Sequence, residues 1–319
     1  MVLKTEQPPI RGQQARPRGK RHWLKRYAHR LRPTDKLSVL WLLVTIGPAV
    51  FILPGYLEKI HVNPLHILLP HAAGILAMLT LLPLTYRSVN RLVIFIRCWY
   101  PVLLVPMAFS ELFYLIPAVN PYDVDTALQQ IEISMFGAIP SLWMQRFYWP
   151  PLTEAMFIAY ATFYFLPLVP GIPLYLAGNL RKFDRFVFLL LINYYAAFAI
   201  YFVMPSVGPG VALAGQFSHQ LQGLFVSDWI CTTIQGLEGI HRDCFPSVHT
   251  AIALVVLGYL YLHGWYSFLP MVPVCAGIML ATIYCRYHYT PDIVAGIVLA
   301  VLSLAVYRAL YRIADGKWR

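Results

Sequence analysis

Two short polar segments border long apolar stretches in the C-terminal part of the chain, and they hold the side chains best suited to chemistry. The segment HRDCFPSVHT, residues 241–250, contains His249, and the segment CRYHYTPDIVAG, residues 285–296, contains His288 and Asp292. Histidine often transfers protons near neutral pH, and it can also attack an electrophile as a nucleophile. Two histidines and a carboxylate therefore indicate a site for covalent phosphoryl transfer.

The spacing between His288 and Asp292 favours a working pair. Residues four positions apart lie on one face of a helix, and a carboxylate beside an imidazole fixes its tautomer and stabilises its positive charge. Pro291 predicts that the helix begins close to it, which places His288 in the turn that enters the helix. Of His288 and His249, one would attack phosphorus and the other would protonate the leaving oxygen.

Other side chains in the two segments are suited to binding the phosphate. Pro246 fits the first turn of a helix, which puts Ser247 and His249 beside free backbone N–H groups that attract an anion. A serine and a histidine at a helix start also occur as a cap and an interfacial side chain, so this pattern alone is weak. Arg286, two residues before His288, adds a guanidinium suited to bidentate phosphate binding.

The elements that position these residues are predicted to cross a membrane. The chain has 319 residues, 59% of them hydrophobic and 12% charged, with a mean hydropathy of +0.59. Soluble domains carry about 25% charged residues, so the apolar excess is too large for a water-facing surface. Eight apolar stretches are candidates for crossing about 30 Å of hydrocarbon. They are 38–56, 65–86, 92–118, 153–177, 186–204, 248–263, 268–286 and 290–312.

We therefore predict an all-α fold, a polytopic membrane helical bundle of about eight transmembrane helices. The sixth stretch is short and several others contain proline, so a count of six or seven stays open. The chain divides into a basic arm over 1–37 that is predicted to be disordered, an accessory helix pair over 38–90, a catalytic bundle over 91–312 and a cytoplasmic tail over 313–319.

The distribution of positive charge predicts the orientation. The net charge is +11, and residues 1–37 hold eleven Lys and Arg residues against two acidic residues. Loops on the same side as this arm are richer in Lys and Arg than the opposite loops, as the positive-inside rule requires. Both termini are thus predicted to be cytoplasmic, with both histidines on the non-cytoplasmic side. The arm is expected to contact anionic lipid and not nucleic acid.

Residues 121–150 are too polar to span the membrane. Their polar and apolar side chains alternate at roughly helical spacing, with Asp125, Gln129 and Glu132 against Leu128, Ile131 and Met135. We expect an amphipathic interfacial helix that lies on the membrane surface, and an ordinary extramembrane loop is the alternative.

Two of the five cysteines, Cys231 and Cys244, fall in the loop predicted over 205–247 on the non-cytoplasmic side. In an oxidising compartment they would close a short loop, so we predict a disulfide between them. The other three sit within or beside apolar stretches, and their spacing is not that of a metal site. We predict no metal and no cofactor.

At this point the sequence resembles a known family. FPSVHT at 245–250 and RYHYTPDIVAG at 286–296 are similar to the second and third signature motifs of the type-2 phosphatidic acid phosphatase superfamily. Within it, the pattern resembles the inositolphosphorylceramide synthase-like (inositolphosphotransferase) branch, which has many bacterial members. The upstream stretches 125–164 and 201–210 support the resemblance, which extends over about residues 120–310.

The resemblance implies a role for each matching residue. His288 would be the nucleophile that forms a phosphohistidine, and Asp292 would be the carboxylate that orients it. His249 would protonate the leaving group and later activate the acceptor, and Ser247 would contact the phosphate. The resemblance also implies a lipid-phosphate substrate, catalysis without a metal, and a bacterial inner membrane as the favoured location.

The sequence departs from the family pattern at three places. The common first motif, a Lys seven residues before an Arg-Pro pair, is absent, and Ala281 and Thr282 stand where a Ser-Arg pair is usual. Val248 replaces a glycine that is found in many hydrolases. Two expected phosphate-binding cations are therefore missing, and Arg286 and Arg242 are the candidates to replace them.

Three functions are compatible with this pattern. With water as the acceptor the chain would be a lipid phosphatase. With an alcohol such as inositol, a sugar or another lipid it would be a phosphotransferase, and the resemblance leans towards that branch. A non-enzymatic membrane lipid carrier or scaffold built on the same bundle is the third.

Three polar or aromatic residues outside the motifs receive simpler interpretations. Glu154, at the start of an apolar helix, would either bind an acceptor hydroxyl or, more simply, interact with a helix N-terminus. Tyr160 is interpreted as a packing or interfacial residue, and so is His71, without a catalytic role.

Overall fold

The structure, a computed structural model, describes residues 31–59, 65–85, 88–238 and 242–315. Most of the predicted disordered arm and most of the predicted tail lie outside the described residues. All regular secondary structure within the four ranges is helical, so the predicted all-α class is confirmed.

Fourteen α-helices and three short 3-10 turns follow one another along the described chain. The α-helices are α1 Pro33–Phe51, α2 Leu53–Lys59, α3 Leu65–Leu84, α4 Arg91–Val119, α5 Asp125–Phe136, α6 Pro140–Met144, α7 Pro150–Ala161, α8 Leu168–Leu176, α9 Leu180–Val203, α10 Pro209–Ala212, α11 Ser227–Glu238, α12 Val248–Leu262, α13 Phe268–Tyr284 and α14 Thr290–Asp315. The 3-10 turns are Gln145–Phe147, Thr162–Phe165 and Ala214–Gln216.

Apolar helices occupy each of the eight stretches that the sequence predicts to cross the membrane. Five helical segments in the described chain are long and apolar enough to span a bilayer: α1, α4, α9, the segment Pro150–Leu176 and the part of α14 over Thr290–Tyr311. Two shorter apolar helices, α12 and α13, accompany them, and α3 adds another 20 residues. The predicted polytopic helical bundle is therefore confirmed.

Helix α9 occupies the centre of the bundle. It packs against α1, α4, α8, α12 and α14, and it buries eleven of its side chains, including Phe183, Leu189 and Phe198. Helices inside a bilayer associate through close packing and interhelical hydrogen bonds, since lipid tails are as apolar as the side chains. One such bond joins α9 to α14, where Asn193 Nδ2 donates to Ser303 Oγ at 3.2 Å.

A buried ionic cluster fastens α1 to the bundle. Asp35 in α1 accepts from Tyr100 at 2.6 Å and pairs with Arg97 of α4 at 3.3 Å. Arg32 pairs with Asp184, near the start of α9, also at 3.3 Å. The cluster lies at the opposite end of α9 from the histidine segments. Helix α1 thus packs directly on α9. The division of the chain into an accessory helix pair and a catalytic bundle stays a prediction.

His71 of α3 is a packed side chain, as expected. It is 2% exposed, its Nδ1 lies 3.0 Å from Glu111 Oε2, and its Nε2 lies 2.9 Å from the carbonyl oxygen of Leu42. These contacts join α3 to α4 and α1.

The predicted amphipathic helix is present as α5, with an unexpected polarity. Asp125 and Glu132 are buried, as is Leu128, whereas the apolar side chains Ile133, Met135 and Phe136 are each at least half exposed. A soluble helix would turn its apolar side chains inwards. An interfacial helix presents them to lipid, so the outward apolar face of α5 fits a position at the membrane surface.

Candidate active site

The two histidines of the sequence motifs lie side by side at one end of the bundle. His249 stands in the first turn of α12, and His288 lies in the loop between α13 and α14. The Nδ1 atom of His249 is 3.3 Å from Nε2 of His288. Both side chains are buried, at 8% and 5% exposure. The structure thus brings together the residues that the sequence selects, and their chemical roles stay predictions.

Asp292 is next to His288, on the side away from His249. Its Oδ2 atom is 3.4 Å from His288 Nδ1 and accepts a 2.7 Å hydrogen bond from the backbone N–H of Tyr289. Its Oδ1 atom is buried and has no hydrogen-bond partner among the described residues. The order His249, His288, Asp292 matches a general acid, a nucleophile and an orienting carboxylate.

Ser247 is the N-cap of α12, a role that serine often takes at a helix start. Its Oγ accepts from the backbone N–H of Thr250 at 3.3 Å, and its own N–H donates to the carbonyl oxygen of Asp292 at 3.0 Å. Ser247 is fully buried. Pro246 precedes this cap and does not enter the first turn, since α12 begins at Val248. Ser247 therefore holds α12 against α14, and its phosphate contact stays a prediction.

A glycine allows this close approach of α12 and α14. A Cβ atom added at Gly296 would lie 2.6 Å from the carbonyl oxygen of Ser247, closer than real Cβ contacts. Gly296, the last residue of the second histidine segment, therefore sets how closely the two helices approach, and with it the position of His249 relative to His288.

The predicted disulfide between Cys231 and Cys244 is wrong, because both are free thiols. Cys244 is buried in the wall of the site, and its Sγ donates to Asp292 Oδ2 at 2.8 Å. Burial and the neighbouring Asp292 carboxylate raise the pKa of the Cys244 thiol well above its usual value. Cys231 lies on α11, where Gln235 Nε2 donates to its sulfur at 3.4 Å. Sequence spacing could not separate these two environments.

Cys244 belongs to a compact group with His288 and Asp292. One ligand atom from each residue lies within 4.8 Å of the other two, a spacing that a metal ion could bridge. In the structure direct contacts join the same atoms, namely a thiol donor, a carboxylate acceptor and an imidazole nitrogen. These contacts account for the geometry without an ion.

Two cavities meet at the histidines. The larger, about 850 Å³, is the more polar of the two; it is lined by residues of the loop 205–247, among them Gln220 and Gln222, and by the inner face of α11, and we call it the polar cavity. The smaller, about 440 Å³, is lined by apolar side chains of α4, α9 and residues 163–168. His249, His288 and Asp243 line both. The two histidines therefore face the polar cavity on one side and the apolar cavity on the other.

Arg286 lines the polar cavity, as a phosphate-binding cation would. Its guanidinium carbon lies 3.8 Å from the ring centre of Phe217, and its Nη2 donates to the carbonyl oxygen of His219 at 3.0 Å. Arg286 has a φ of 67°, an uncommon value outside glycine. Its carbonyl oxygen accepts from the N–H of Gly210 at 2.7 Å, which holds this conformation in place.

Arg242 does not reach the cavity, which corrects its predicted phosphate contact. Its Nε pairs with Asp123 Oδ1 at 3.1 Å, and its Nη1 donates to the carbonyl oxygen of Asn120 at 3.3 Å. It is not among the described residues that line either cavity. These two acceptors hold the guanidinium away from the cavity lining, so Arg286 is the one predicted cation that the structure brings to the polar cavity.

Aromatic rings enclose His249, which the sequence did not indicate. Tyr160 lies 4.4 Å from His249 between ring centres and stacks on Tyr287 at 4.5 Å, and Phe163 lies 4.2 Å from His249. The rings restrict the imidazole to a narrow slot that points at His288. Tyr160 was interpreted as a packing residue, and its place in this slot has no signal in the sequence.

Three polar residues of α5 bind the loops that carry the site. Asp125 accepts from Ser206 Oγ and from the N–H groups of Val207 and Gly208, at 3.0 to 3.1 Å. Glu132 Oε1 accepts from the N–H of Thr290 at 2.6 Å. Gln129 Nε2 donates to the Tyr289 hydroxyl at 3.0 Å. The amphipathic helix therefore holds both the 206–208 loop and the turn that follows His288.

Glu154 caps a helix other than its own. Its carboxylate accepts from the four successive N–H groups of residues 224–227, at 2.8 to 3.3 Å. These amides lead into α11, whose inner face lines the polar cavity through Asp228, Thr232 and Gln235. The contact is with a helix N-terminus, as the simpler interpretation had it, but with the N-terminus of a helix distant in sequence.

We expect Glu154→Gln to weaken the attachment of residues 224–227, which lead into α11 beside the polar cavity. An amide would keep one acceptor oxygen, but its NH₂ group would face backbone donors. The amides of 224–227 should then exchange hydrogen about 10-fold faster or more, as expected when charge-assisted hydrogen bonds are lost. Hydrogen–deuterium exchange in nanodiscs measures this, with the exposed Glu58→Gln as the matched control. Unchanged exchange at 224–227 would show that the loop is held by other contacts.

Comparisons with known proteins identify a family and two relatives. The family model of the PAP2 superfamily matches residues 127–306, more than half of the chain. Phosphoinositol dihydroceramide synthase of Bacteroides thetaiotaomicron is 27% identical over 205 residues, which cover 58% of this chain and 67% of that protein.

A second relative matches more distantly. A PA-phosphatase related-family protein of Dictyostelium discoideum is 25% identical over 142 residues, which cover 43% of this chain and 25% of that protein. The chain thus spans about a quarter of that relative's length. No solved structure gives a significant match.

Proposed function

This chain belongs to the PAP2 superfamily, and from that premise we propose that it transfers a phosphoryl or phospho-head group from a lipid through a phosphohistidine at His288. Lipid phosphotransferase or phosphatase activity follows from the family and from the relative named as a synthase. The covalent intermediate and the acceptor are the proposed part. The observation that carries the proposal is the His249–His288–Asp292 series placed where a polar and an apolar cavity meet.

The hydrogen-bonding pattern suits His288 Nε2 as the attacking atom. With Nδ1 protonated and directed at Asp292, the Nε2 lone pair faces His249 and the two cavities. Attack on phosphorus forms an N–P bond and breaks the P–O bond to the lipid. His249, when protonated, gives its proton to the departing oxygen and afterwards takes one from the acceptor hydroxyl.

The two imidazoles must separate when substrate binds. Reacting atoms approach to about 3–3.5 Å before bond formation, and the ring nitrogens are already only 3.3 Å apart. A phosphate therefore enters between them by displacing one ring. The ring of His288 is held by Asp292, and its backbone N–H donates to the carbonyl oxygen of Thr282 at 3.0 Å. The movement is accordingly assigned to His249, within its aromatic slot.

The two cavities supply different parts of the reaction. The apolar one, lined by Val105, Phe109 and Leu190, offers a path from the bilayer for an acyl chain. The polar one presents amides, a hydroxyl and a carboxylate from Gln220, Thr232 and Asp228. Such groups bind a hydroxylated acceptor or head group, so we favour an alcohol over water as the acceptor. Water is the second candidate, favoured by the phosphatase-related relative.

We also propose the orientation that the charge pattern predicts. Both termini would lie in the cytoplasm, and the site would open on the non-cytoplasmic face of a bacterial inner membrane. The concentration of Lys and Arg in residues 1–37 supports this. The reaction is further proposed to need no metal, because Asp292, His288 and His249 supply the nucleophile and the proton transfers.

Phosphate-label trapping tests the proposal. Purified wild type, His288→Ala and His249→Ala would be incubated with radiolabelled lipid phosphates in the presence of a chelator, then quenched. We expect acid-labile, base-stable label on wild type. It should be lost in His288→Ala and retained or increased in His249→Ala, because dephosphorylation needs the base.

Further outcomes separate the alternatives. Free phosphate released without an added alcohol identifies a phosphatase, whereas label that appears on inositol, a sugar or a second lipid only when that alcohol is added identifies a transferase. Transport or scaffolding activity that survives His288→Ala, together with no label from any lipid phosphate, would favour the non-enzymatic carrier. Turnover that occurs without the chelator and is lost when the chelator is added would contradict the metal-free mechanism.

A further inference from the structure

The thiol of Cys244 has no part in the mechanism above, yet it touches both members of the His288–Asp292 pair. Its Sγ lies 2.8 Å from Asp292 Oδ2, 3.4 Å from His288 Nδ1 and 3.1 Å from the carbonyl oxygen of Tyr287. The side chain is 5% exposed. The thiol is free and so is not half of a disulfide.

We propose that Cys244 is a positioning residue, which donates a hydrogen bond from its thiol to Asp292 Oδ2 and so fixes the carboxylate against the nucleophilic imidazole of His288. The inference rests on the proposed function, because it assigns Cys244 to the same pair. Cys244 itself touches no reacting atom in this scheme.

The hydrogen-bond inventory of Asp292 supports this role. Besides the imidazole, the carboxylate has two donors, the N–H of Tyr289 at 2.7 Å and the Cys244 thiol at 2.8 Å. Both reach Oδ2, and Oδ1 has no partner in the described part of the chain. Without the thiol, a single backbone N–H would determine the orientation of the carboxylate plane, and a rotation would carry Oδ2 away from His288.

The single thiol proton has a preferred acceptor. It can point at the carboxylate of Asp292 or at the carbonyl oxygen of Tyr287, and hydrogen bonds to an ionised acceptor are the stronger class. Burial keeps the Cys244 thiol protonated by raising its pKa, so the group acts as a donor at neutral pH. A thiolate beside Asp292 would instead repel the carboxylate.

The surrounding fold is shaped to accommodate sulfur. A Cβ atom added at Gly208 would lie 3.3 Å from Cys244 Sγ and 2.6 Å from the carbonyl oxygen of Tyr287, and Gly208 has a φ of +81°. The N–H of Cys244 donates to the carbonyl oxygen of Ser206 at 3.0 Å. Asp125 holds this same 206–208 loop. Gly208 thus leaves room for the sulfur, and the 206–208 loop holds the backbone of Cys244 in place.

Other titratable groups face this pair from several elements, and the test leaves them unchanged. They are Asp125 and Glu132 on α5, Asp243 in the preceding loop, His249 on α12 and Arg286 before the nucleophile.

A serine and an alanine at position 244 test the proposal, with Cys275→Ala as the control at a buried cysteine far from the site. The loss of one hydrogen bond to a charged group predicts that Cys244→Ala lowers kcat about 10-fold or more. KM for the lipid should stay within about twofold, because the thiol does not line the apolar cavity. Cys244→Ser keeps a donor, so it should recover kcat to within about threefold of wild type. Cys275→Ala should behave as wild type.

A second measurement does not require turnover. In ¹⁵N-histidine-labelled protein in nanodiscs, the His288 signal, assigned by its loss in His288→Ala, reports which ring nitrogen carries the proton. We expect one Nδ1–H tautomer in wild type and Cys244→Ser, and a mixture in Cys244→Ala. A mere packing role would lower stability without changing the tautomer.

The outcomes distinguish failure of this inference from failure of the proposed function. If wild type turns over and Cys244→Ala matches Cys275→Ala in kcat and in the His288 signal, Cys244 does not position Asp292. If Cys244→Ser fails to restore kcat while the tautomer is unchanged throughout, the thiol only fills space. If wild type never accepts phosphate, the proposed function fails, and the ¹⁵N spectra still decide whether Cys244 orders the pair.

Discussion

Asp292→Asn lowers kcat by about 10³- to 10⁴-fold with little change in lipid binding, if Asp292 orients His288 as proposed. The amide has the same shape and can still accept from the N–H of Tyr289. It cannot stabilise an imidazolium, and it can present an NH₂ group to His288, which favours the wrong tautomer. Steady-state kinetics on purified protein in nanodiscs measures the effect.

The control for this variant is its folded state. Asp292 is fully buried and lies in the first turn of α14, so a thermal unfolding curve must show that the substitution keeps the bundle intact. The label-trapping assay then separates the steps, because Asp292→Asn should form the phosphoenzyme slowly and not merely break it down slowly. A variant with kcat within about tenfold of wild type would remove Asp292 from the proposed role.

Asp125→Ala is expected to destabilise the protein by at least about 3 kcal/mol and to abolish most activity. The carboxylate accepts from Ser206, Val207 and Gly208, and each buried donor left without a partner costs about 1–3 kcal/mol. The loop that supports Cys244 would then lose its attachment to α5. A thermal unfolding curve measures the loss of stability, and a separate assay of the folded protein at low temperature measures the residual activity.

Asp123 provides a matched comparison two residues away. Its ion pair with Arg242 has partners that are 28% and 25% exposed, and such pairs contribute about 0–1 kcal/mol. Asp123→Ala should therefore leave stability and activity nearly unchanged. Equal effects of the two substitutions would mean that the general charge of this region, and not the loop attachment by Asp125, stabilises the site.

The sequence predicted the parts of this protein that local pattern controls. Apolar length identified the helices, and the i, i+4 spacing of His288 and Asp292 predicted their pairing across the start of α14. The placement of His249 and His288 at the same end of the bundle also followed, because alternating helices return the chain to that end. Each of these inferences needs only periodicity and the direction of successive spans.

The misses share a different physical origin, which is contact between distant parts of the chain. Cys244 bonds to a residue 48 positions away, and Asp125 bonds to a loop 81 to 83 positions away. Glu154 reaches amides 70 to 73 positions away. No local spacing encodes such partners, so Cys244 was assigned to a disulfide, and Arg242 was assigned to phosphate instead of Asp123.

The polarity of α5 has a consequence for where in the membrane the reaction takes place. The outward side chains Ile133, Met135 and Phe136 fit the head-group layer, and inward bonds from Asp125 and Glu132 run to the loops around His288. A helix at this position would set the depth of His288, the proposed nucleophile, through the side chains of Asp125 and Glu132. In the proposed reaction, the plane in which a lipid phosphate is attacked would then be fixed relative to the membrane surface.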